Sequence, residues 1–195
     1  KKQDFKGNTL HHGAGQDGSR TTKGGKTIRA NPDREFLERI TEGETVHYDP
    51  EFSPDRSRLG KQDFKTVVSN FVFNVIAGAE NRAAAFVDIA TSMADDGVGH
   101  IAVRGINDVP PNKLTGDPKI DKQVQKKLNS KNWEPFEDGW KVKTGEGKAR
   151  FQKGFSADEL ERTLLEHFDE VVVGTSKNGS VTHAKVGKPK RFDER

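Results

Sequence analysis

The sequence contains no cysteine among its 195 residues. Disulfides, thiol catalysis and cysteine-ligated zinc are therefore excluded, and a reducing compartment, the cytoplasm, is expected. It also lacks an apolar run near the roughly 20 residues of a transmembrane helix, so we predict no membrane partner. Basic residues are only slightly in excess: the sequence has 33 basic and 30 acidic residues, for a net charge of +3. Nucleic-acid binding usually requires a clustered basic face. This net charge does not require a nucleic-acid partner, but such a partner stays possible.

Short apolar segments alternate with helical patterns along the chain, in the order β-α-β-β-α-β, a polar stretch, and α-β-β. Helix starts carry a capping residue followed by proline or acids, as in Asn31-Pro32-Asp33. Asn178-Gly179, between the last two apolar segments, is typical of a tight hairpin turn. This order predicts an α/β fold with a mainly parallel sheet, helices on both faces and a C-terminal antiparallel hairpin.

The length and the pattern predict one domain over residues 1–189. A basic loop at 16–30 delays the first helix, and a polar insert occupies 105–150. Trp133 and Trp140 flank a turn of that insert, which predicts a hairpin whose tryptophans pack it onto the domain. The basic tail at 190–195 is expected to be frayed.

Three segments, in order, carry a family resemblance. LHHGAGQDG at 10–18 ends the first strand in a glycine-rich turn, VHYDP at 46–50 ends the second in a carboxylate, and KQDFKTVVSN at 61–70 leads through the third. With the terminal hairpin they resemble the class I S-adenosylmethionine (SAM)-dependent methyltransferases, a Rossmann-like fold, along nearly the whole chain. The run VVSNFVFNVI at 67–76 is also similar to methyltransferase-like proteins, some of them encoded beside DNA-modification genes.

The resemblance implies that SAM is the cofactor and lies at the carboxyl ends of the strands, where open α/β sheets bind ligands. It implies that Asp49 accepts hydrogen bonds from the ribose hydroxyls, and that Asp63 or Phe64 touches the adenine. Asn70 would lie near the transferred methyl group. The implied cofactor contacts are His12, Gly13, Ala14, Gly15, Asp49, Pro50, Asp63, Phe64, Ser69 and Asn70, and the candidates for a catalytic role are Asn70, His11 and His12.

The sequence departs from the family pattern at several points. His11 and His12 stand where an acidic residue usually precedes the first glycine, so we expect the methionine amino group of SAM to be held differently or more weakly. Asp49 lies 34 residues beyond Gly15, whereas a compact unit places its acid about 20 residues on. No Asn/Asp-Pro-Pro-Tyr motif is present, which argues against an exocyclic base amine as the acceptor.

The loop at 16–30 ends in Gly24-Gly25-Lys26-Thr27, which looks like the end of a phosphate-binding P-loop. The pattern fails, because Arg20 stands where its first glycine is required. The loop is therefore interpreted as a mobile surface segment, or as a lid beside the cofactor. Arg20, Lys26 and the strand-ending Arg104 are the candidate contacts with an anionic substrate.

The sequence thus predicts a SAM-dependent methyltransferase that acts on an unidentified acceptor, either a small molecule or one related to nucleic acid. Two alternatives stay open: a catalytically inactive binding protein of the same fold, and an unrelated nucleotide-binding α/β domain. No cluster of His, Asp or Glu has metal-ligand spacing, so no metal is predicted. The sequence does not determine the oligomeric state.

Overall fold

The structure, a computed structural model, describes residues 5–16, 18–21, 25, 27–145 and 147–191, with the backbone alone described at 19–21 and 27–30. The strands and helices alternate nearly as the sequence predicts. They are β1 (Asn8–His12), β2 (Gly18–Thr21), β3 (Thr27–Ala30), α1 (Pro32–Ile40), β4 (Thr45–Tyr48), β5 (Phe64–Asn70), α2 (Ala79–Ser92), β6 (Met93–Arg104), α3 (Pro118–Leu128), β7 (Trp133–Phe136), β8 (Gly139–Lys143), β9 (Ala149–Gln152), α4 (Ala157–Leu165), β10 (Phe168–Thr175) and β11 (Val181–Pro189).

Six strands form the central sheet, in the order β10-β11-β6-β5-β1-β4. The pairs β4-β1, β1-β5 and β5-β6 are parallel, whereas β11 runs antiparallel to both β6 and β10. The predicted mainly parallel sheet with a C-terminal antiparallel hairpin is thereby confirmed. The chain passes from β1 to β4 on one side and then returns to β5 on the other, which makes the β1–β5 boundary a topological switch point.

The main core lies on the face of the sheet covered by α2 and α4. Phe86 and Ile89 of α2 and Leu160 and Leu164 of α4 are fully buried there against the strands. Ser156 caps α4 by accepting a hydrogen bond from Glu159 N at 3.1 Å, as its sequence pattern indicates. Burying such leucine and phenylalanine side chains stabilises the fold by roughly 1.5–3 kcal/mol each.

The opposite face is covered less completely. Leu37 and Ile40 of α1 pack there on Val68 of β5. Farther along the sheet, His100 of β6 is only partly covered, and Val172 of β10 is 70% exposed. Helices therefore lie on both faces, as predicted, but α1 covers only the β4-β1-β5 part of its face.

The insert carries more regular structure than the sequence analysis predicts. The expected hairpin is present as β7 and β8, and β9 joins it in a three-stranded sheet. Trp140 is fully buried in a small separate core with Val109 and Val124, and its Nε1 donates to Pro110 O at 2.6 Å. Helix α3 was not predicted, although its Asp117 cap and Pro118 are a clear start signal.

Three further details differ from the sequence-based expectations. The loop at 16–30 contains the antiparallel pair β2-β3. Helix α2 ends at Ser92 and not at the following acidic pair, which lies within β6. The start of the tail is anchored: Lys190 N donates to His167 O at 2.9 Å, and the Arg191 guanidinium donates to Ala90 O at 3.0 Å. Residues 192–195 lie outside the described residues. In the part of the chain that is described, no helix is long and apolar enough to cross a membrane.

Candidate functional site

The carboxyl ends of β4, β1, β5 and β6 meet at one edge of the sheet, because these four strands are parallel. Gly13 follows β1, Asp49 follows β4, and Asn70 ends β5. Most residues predicted to contact a cofactor are therefore brought to this edge, on both sides of the switch point. A crevice at such a point is the usual ligand site of open α/β sheets.

The glycine turn after β1 closes over the end of β4. Gly13 N and Ala14 N both donate to Tyr48 O, at 2.7 and 3.0 Å. Gly13 has a φ of +73°, and a Cβ on it would lie 2.1 Å from Val72 Cγ2. Gly15 has a φ of +66°, but a Cβ there would meet no atom of the described residues within 4 Å. A glycine at position 13 is thus required by internal packing, whereas the described residues leave the space beside Gly15 open.

Asp49 joins the two strand ends. Its Oδ2 accepts from Gly15 N at 3.0 Å, and its Oδ1 accepts from Glu51 N at 2.9 Å and Phe52 N at 3.0 Å. An ionised carboxylate offers about four acceptor positions, so the bonds made by the described residues leave about one, on Oδ2. Pro50 is exposed, in the turn between Asp49 and Ser53.

The two histidines at the end of β1 point to opposite faces and are both buried. The His11 Nδ1 lies 3.2 Å from His47 Nδ1, and His47 Nε2 lies 3.0 Å from Glu38 Oε1. His12 lies between the rings of Tyr48 and Phe73, at centroid distances of 5.5 and 6.3 Å. Burial lowers the pKa of each to about 4, so both imidazoles are neutral near pH 7.

Ser69 and His12 form a second polar feature of this edge. They lie on the same face of β5 and β1, one position beyond the pair His11–Val68. Ser69 is fully buried and His12 is 3% exposed, and neither Ser69 Oγ nor His12 Nδ1 has a hydrogen-bond partner within the described residues. Buried polar groups are normally bonded, so this pair indicates a place for a water molecule or a ligand atom. Asn70 points to the other face and does not cap α2, which begins after Gly78.

The structure does not bring Asp63 and Phe64, which the resemblance predicts to touch the adenine, to this edge of the sheet. Phe64 is the first residue of β5, and it pairs with Asn8 at the start of β1. Seven residues of strand span about 20 Å, so both lie at the opposite edge from Gly13. Phe64 is fully buried in the core, and Asp63 pairs with Arg58 at 2.6 Å. Asp63 and Phe64 are close to Ser69 and Asn70 in the sequence, but the length of β5 separates them from the candidate site.

The predicted substrate-side cations have different outcomes. Arg104 ends β6 at the carboxyl edge, as predicted, and its guanidinium pairs with Asp108. Arg20 is described only by its backbone pairing with Ile28 in the β2-β3 hairpin. Lys26 lies outside the described residues.

Phe71, which no motif in the sequence singled out, directly follows β5 at the same edge. It adopts a φ of +58°, which is unusual for a bulky residue, and its side chain is 45% exposed. Phe71 N donates to Ala102 O at 2.7 Å, which fixes this backbone. Strain of this kind concentrates at functional sites. The sequence feature that could have pointed to Phe71 is an aromatic residue directly after the polar end of a strand. Within the described residues, no group of three or more His, Asp or Glu side chains could hold a metal ion.

The fold defined by this sheet and edge is that of the class I SAM-dependent methyltransferases, as solved structures show. DhpI, in its complex with SAM and HEP, superposes with a TM-score of 0.54 at 10% identity, covering 94% of this chain and 79% of DhpI. The PH0226 protein of Pyrococcus horikoshii OT3 gives 0.54 at 14% identity, covering 95% and 82%. The CurJ carbon methyltransferase gives 0.51 at 10% identity, covering 96% and 50%. No family model matches the sequence, and no curated protein matches it.

Proposed function

We propose that this protein binds SAM in the crevice between β1 and β5 and transfers its methyl group to an acceptor held between that crevice and the insert. The observation that carries the proposal is the bond between Gly15 N and Asp49 Oδ2, which places an open glycine turn and a carboxylate together at the switch point. DhpI, which shares the fold, was solved with SAM and with SAH.

The residues present fit the adenosine part of SAM. The spare acceptor position of Asp49 Oδ2 can take one ribose hydroxyl, and Phe52, 44% exposed, follows Asp49 closely enough to offer a ring to the adenine. The methionine part meets a different environment from that of the family, because neutral His11 replaces the expected acid. An imidazole bonded to His47 can supply a hydrogen bond but not a full negative charge.

The bound cofactor would supply a methyl group already activated by its sulfonium. The work left to the protein is alignment of the acceptor and exclusion of water. Phe71 and the insert are placed to do both, since they border the carboxyl edge. A general base is needed only where the acceptor must lose a proton. His11 and His12 are 2% and 3% exposed, so neither imidazole meets an acceptor without being uncovered, and we assign no base.

Calorimetric titration with SAM tests the cofactor site. Asp49→Asn keeps the shape of the side chain but removes its charge, and we expect it to weaken SAM binding about tenfold or more, which corresponds to 1.4 kcal/mol. Asp63→Asn is the matched control: the same change at the opposite edge of the sheet should leave the affinity unchanged. Equal losses in both variants would contradict the assignment of the site.

The titration also separates the alternatives. A folded protein that binds SAM but transfers no labelled methyl group to small-molecule or nucleic-acid extracts would be an inactive binding protein of this fold. Failure to bind SAM, together with magnesium-dependent binding of ATP, would identify an unrelated nucleotide-binding domain. Transfer to one of the two extracts would give the class of acceptor.

A further inference from the structure

A cavity of about 320 Å³ lies between the carboxyl end of β6 and the insert. Arg104 and Asp108 line it from the side of the central sheet, and Lys127 of α3 and Trp133 of β7 line it from the insert. Its volume is at the lower end of the range for small-molecule sites, about 300–1,000 Å³. We call it the insert cavity.

The insert cavity is positively charged. Three of its lining residues are cations, Arg104, Lys127 and Arg150, and Asp108 is the one carboxylate among those that line it. Asp108 is already paired with Arg104. Within the described residues, Lys127 and Arg150 form no salt bridge, so the charged lining residues leave the cavity with a net charge of about +2. Such a surplus attracts an oxyanion.

Lys127 is held in place and partly desolvated. Its Nζ lies 3.3 Å from the centroid of the Trp133 ring, and burial lowers the pKa of the ammonium. Trp133 packs edge-on against the buried Trp140, at a centroid distance of 5.9 Å. Val109 and Val142 supply apolar lining. A fixed cation beside apolar walls favours a small organic acid over a free inorganic ion.

The cavity is also within reach of the proposed site of methyl transfer. Ala102 pairs with Asn70, and Arg104 follows two residues later on β6. With 3.3 Å per residue along a strand and 4.8 Å between strands, the Cα atoms of Arg104 and Asn70 are about 8 Å apart. One small molecule can therefore place its anionic group in the insert cavity and its reacting atom near the crevice.

We infer that the insert cavity binds the carboxylate or phosphate group of a small organic acid, and that this acid is the methyl acceptor. The first part stands on the cavity alone, and the second part rests on the proposed function. A nucleic-acid acceptor is disfavoured, because the cations converge in a small concave space and not along an extended groove.

Tryptophan fluorescence of the full chain tests the inference without SAM. Trp133 and Trp140 are the two tryptophans, and Trp140 is fully buried, so Trp133 beside Lys127 is the reporter. Phenyl phosphate and benzoate are titrated as anionic probes, and benzyl alcohol is the neutral match. We expect saturable changes with the anions, weakened by added salt, and no saturation with the alcohol.

Lys127→Gln should weaken probe binding about tenfold, as should Arg150→Gln. Lys126→Gln is the matched control, because the neighbouring residue on α3 is exposed and does not line the cavity. Midpoints are compared and not amplitudes, since loss of the Lys127 ammonium itself alters the emission of Trp133. The inference would be overturned if neither anion gave saturable binding in the millimolar range, or if benzyl alcohol bound as tightly as the anions. It would also be overturned if Lys126→Gln weakened probe binding as much as Lys127→Gln.

Parallel calorimetry with SAM keeps the two proposals apart. Lys127→Gln should bind SAM as the unaltered protein does, because Lys127 lies outside the crevice. Anion binding without SAM binding would support the anion site and overturn both the cofactor and the acceptor role. SAM binding without anion binding would overturn only the assignment of the insert cavity as an anion site. Lys127-dependent binding of a single-stranded oligonucleotide, with no response to phenyl phosphate, would overturn the small-acid assignment in favour of nucleic acid.

Discussion

The two glycines of the turn after β1 have the same backbone conformation but different surroundings, so their alanine variants should separate strain from packing. Both have a φ near +70°, where an alanine costs about 1–2 kcal/mol. The smaller gain from a stiffer unfolded chain, about 0.4–1 kcal/mol, applies to both and cancels in the comparison. Gly15→Ala should have no further cost, because a Cβ at that position meets no atom of the described residues within 4 Å.

Gly13→Ala adds a clash, because the new Cβ would lie 2.1 Å from Val72 Cγ2. Overpacking of this kind costs about 1–3 kcal/mol. Urea denaturation should therefore show Gly13→Ala to be less stable than Gly15→Ala by that amount. Val72→Ala removes both Cγ atoms and leaves only the 3.1 Å approach to Cβ, so combining it with Gly13→Ala should recover most of the difference.

Gly13→Ala should be the less stable of the two variants, but Gly15→Ala should be the one that loses more affinity for SAM. Gly15→Ala places a methyl group in the open space assigned to the cofactor, so calorimetry should show a large loss of affinity in a protein that is well folded. Equal stabilities of the two alanine variants, or no coupling between positions 13 and 72, would refute the packing argument. Unchanged SAM affinity in Gly15→Ala would refute the placement of the cofactor.

Three other predictions concern buried or strained side chains. His12 has its pKa lowered from 6.5 to about 4, so only the unfolded chain binds a proton between these values, and stability should fall by about 3 kcal/mol as the pH drops from 6.5 to 4. His12→Leu should flatten that part of the pH dependence in urea denaturation, and an unchanged slope would contradict the assignment. Phe71→Gly should be about 1 kcal/mol more stable than Phe71→Ala, because only glycine adopts its positive φ without strain; equal midpoints would argue against strain. Trp140→Phe leaves Pro110 O without its donor and opens a space in the insert core, so thermal unfolding should show a loss of roughly 2–4 kcal/mol, and a loss below about 1 kcal/mol would contradict its role.

Much of the fold can be predicted from short stretches of neighbouring residues. The caps of α1 and α4, the Asn-Gly turn of the last hairpin and the alternation of apolar segments depend on neighbouring residues, and all appear where predicted. The glycine turn and Asp49 were also predictable, because each directly follows a strand and the carboxyl ends of parallel strands share one edge. The elements of the insert were missed for the opposite reason, since the start signal at Asp117-Pro118 stands in a polar stretch with little apolar periodicity.

Only the tertiary structure decided which end of a strand a residue occupies and what its side chain meets. Asp63 and Asn70 belong to one sequence segment, yet β5 places them at opposite edges of the sheet. The sequence could show two histidines in place of an acid, but not that burial leaves both of them neutral. The insert cavity brings Arg104, Lys127 and Arg150 together from three separate elements. Such long-range contacts arise from strand register and packing, which no local pattern of residues specifies.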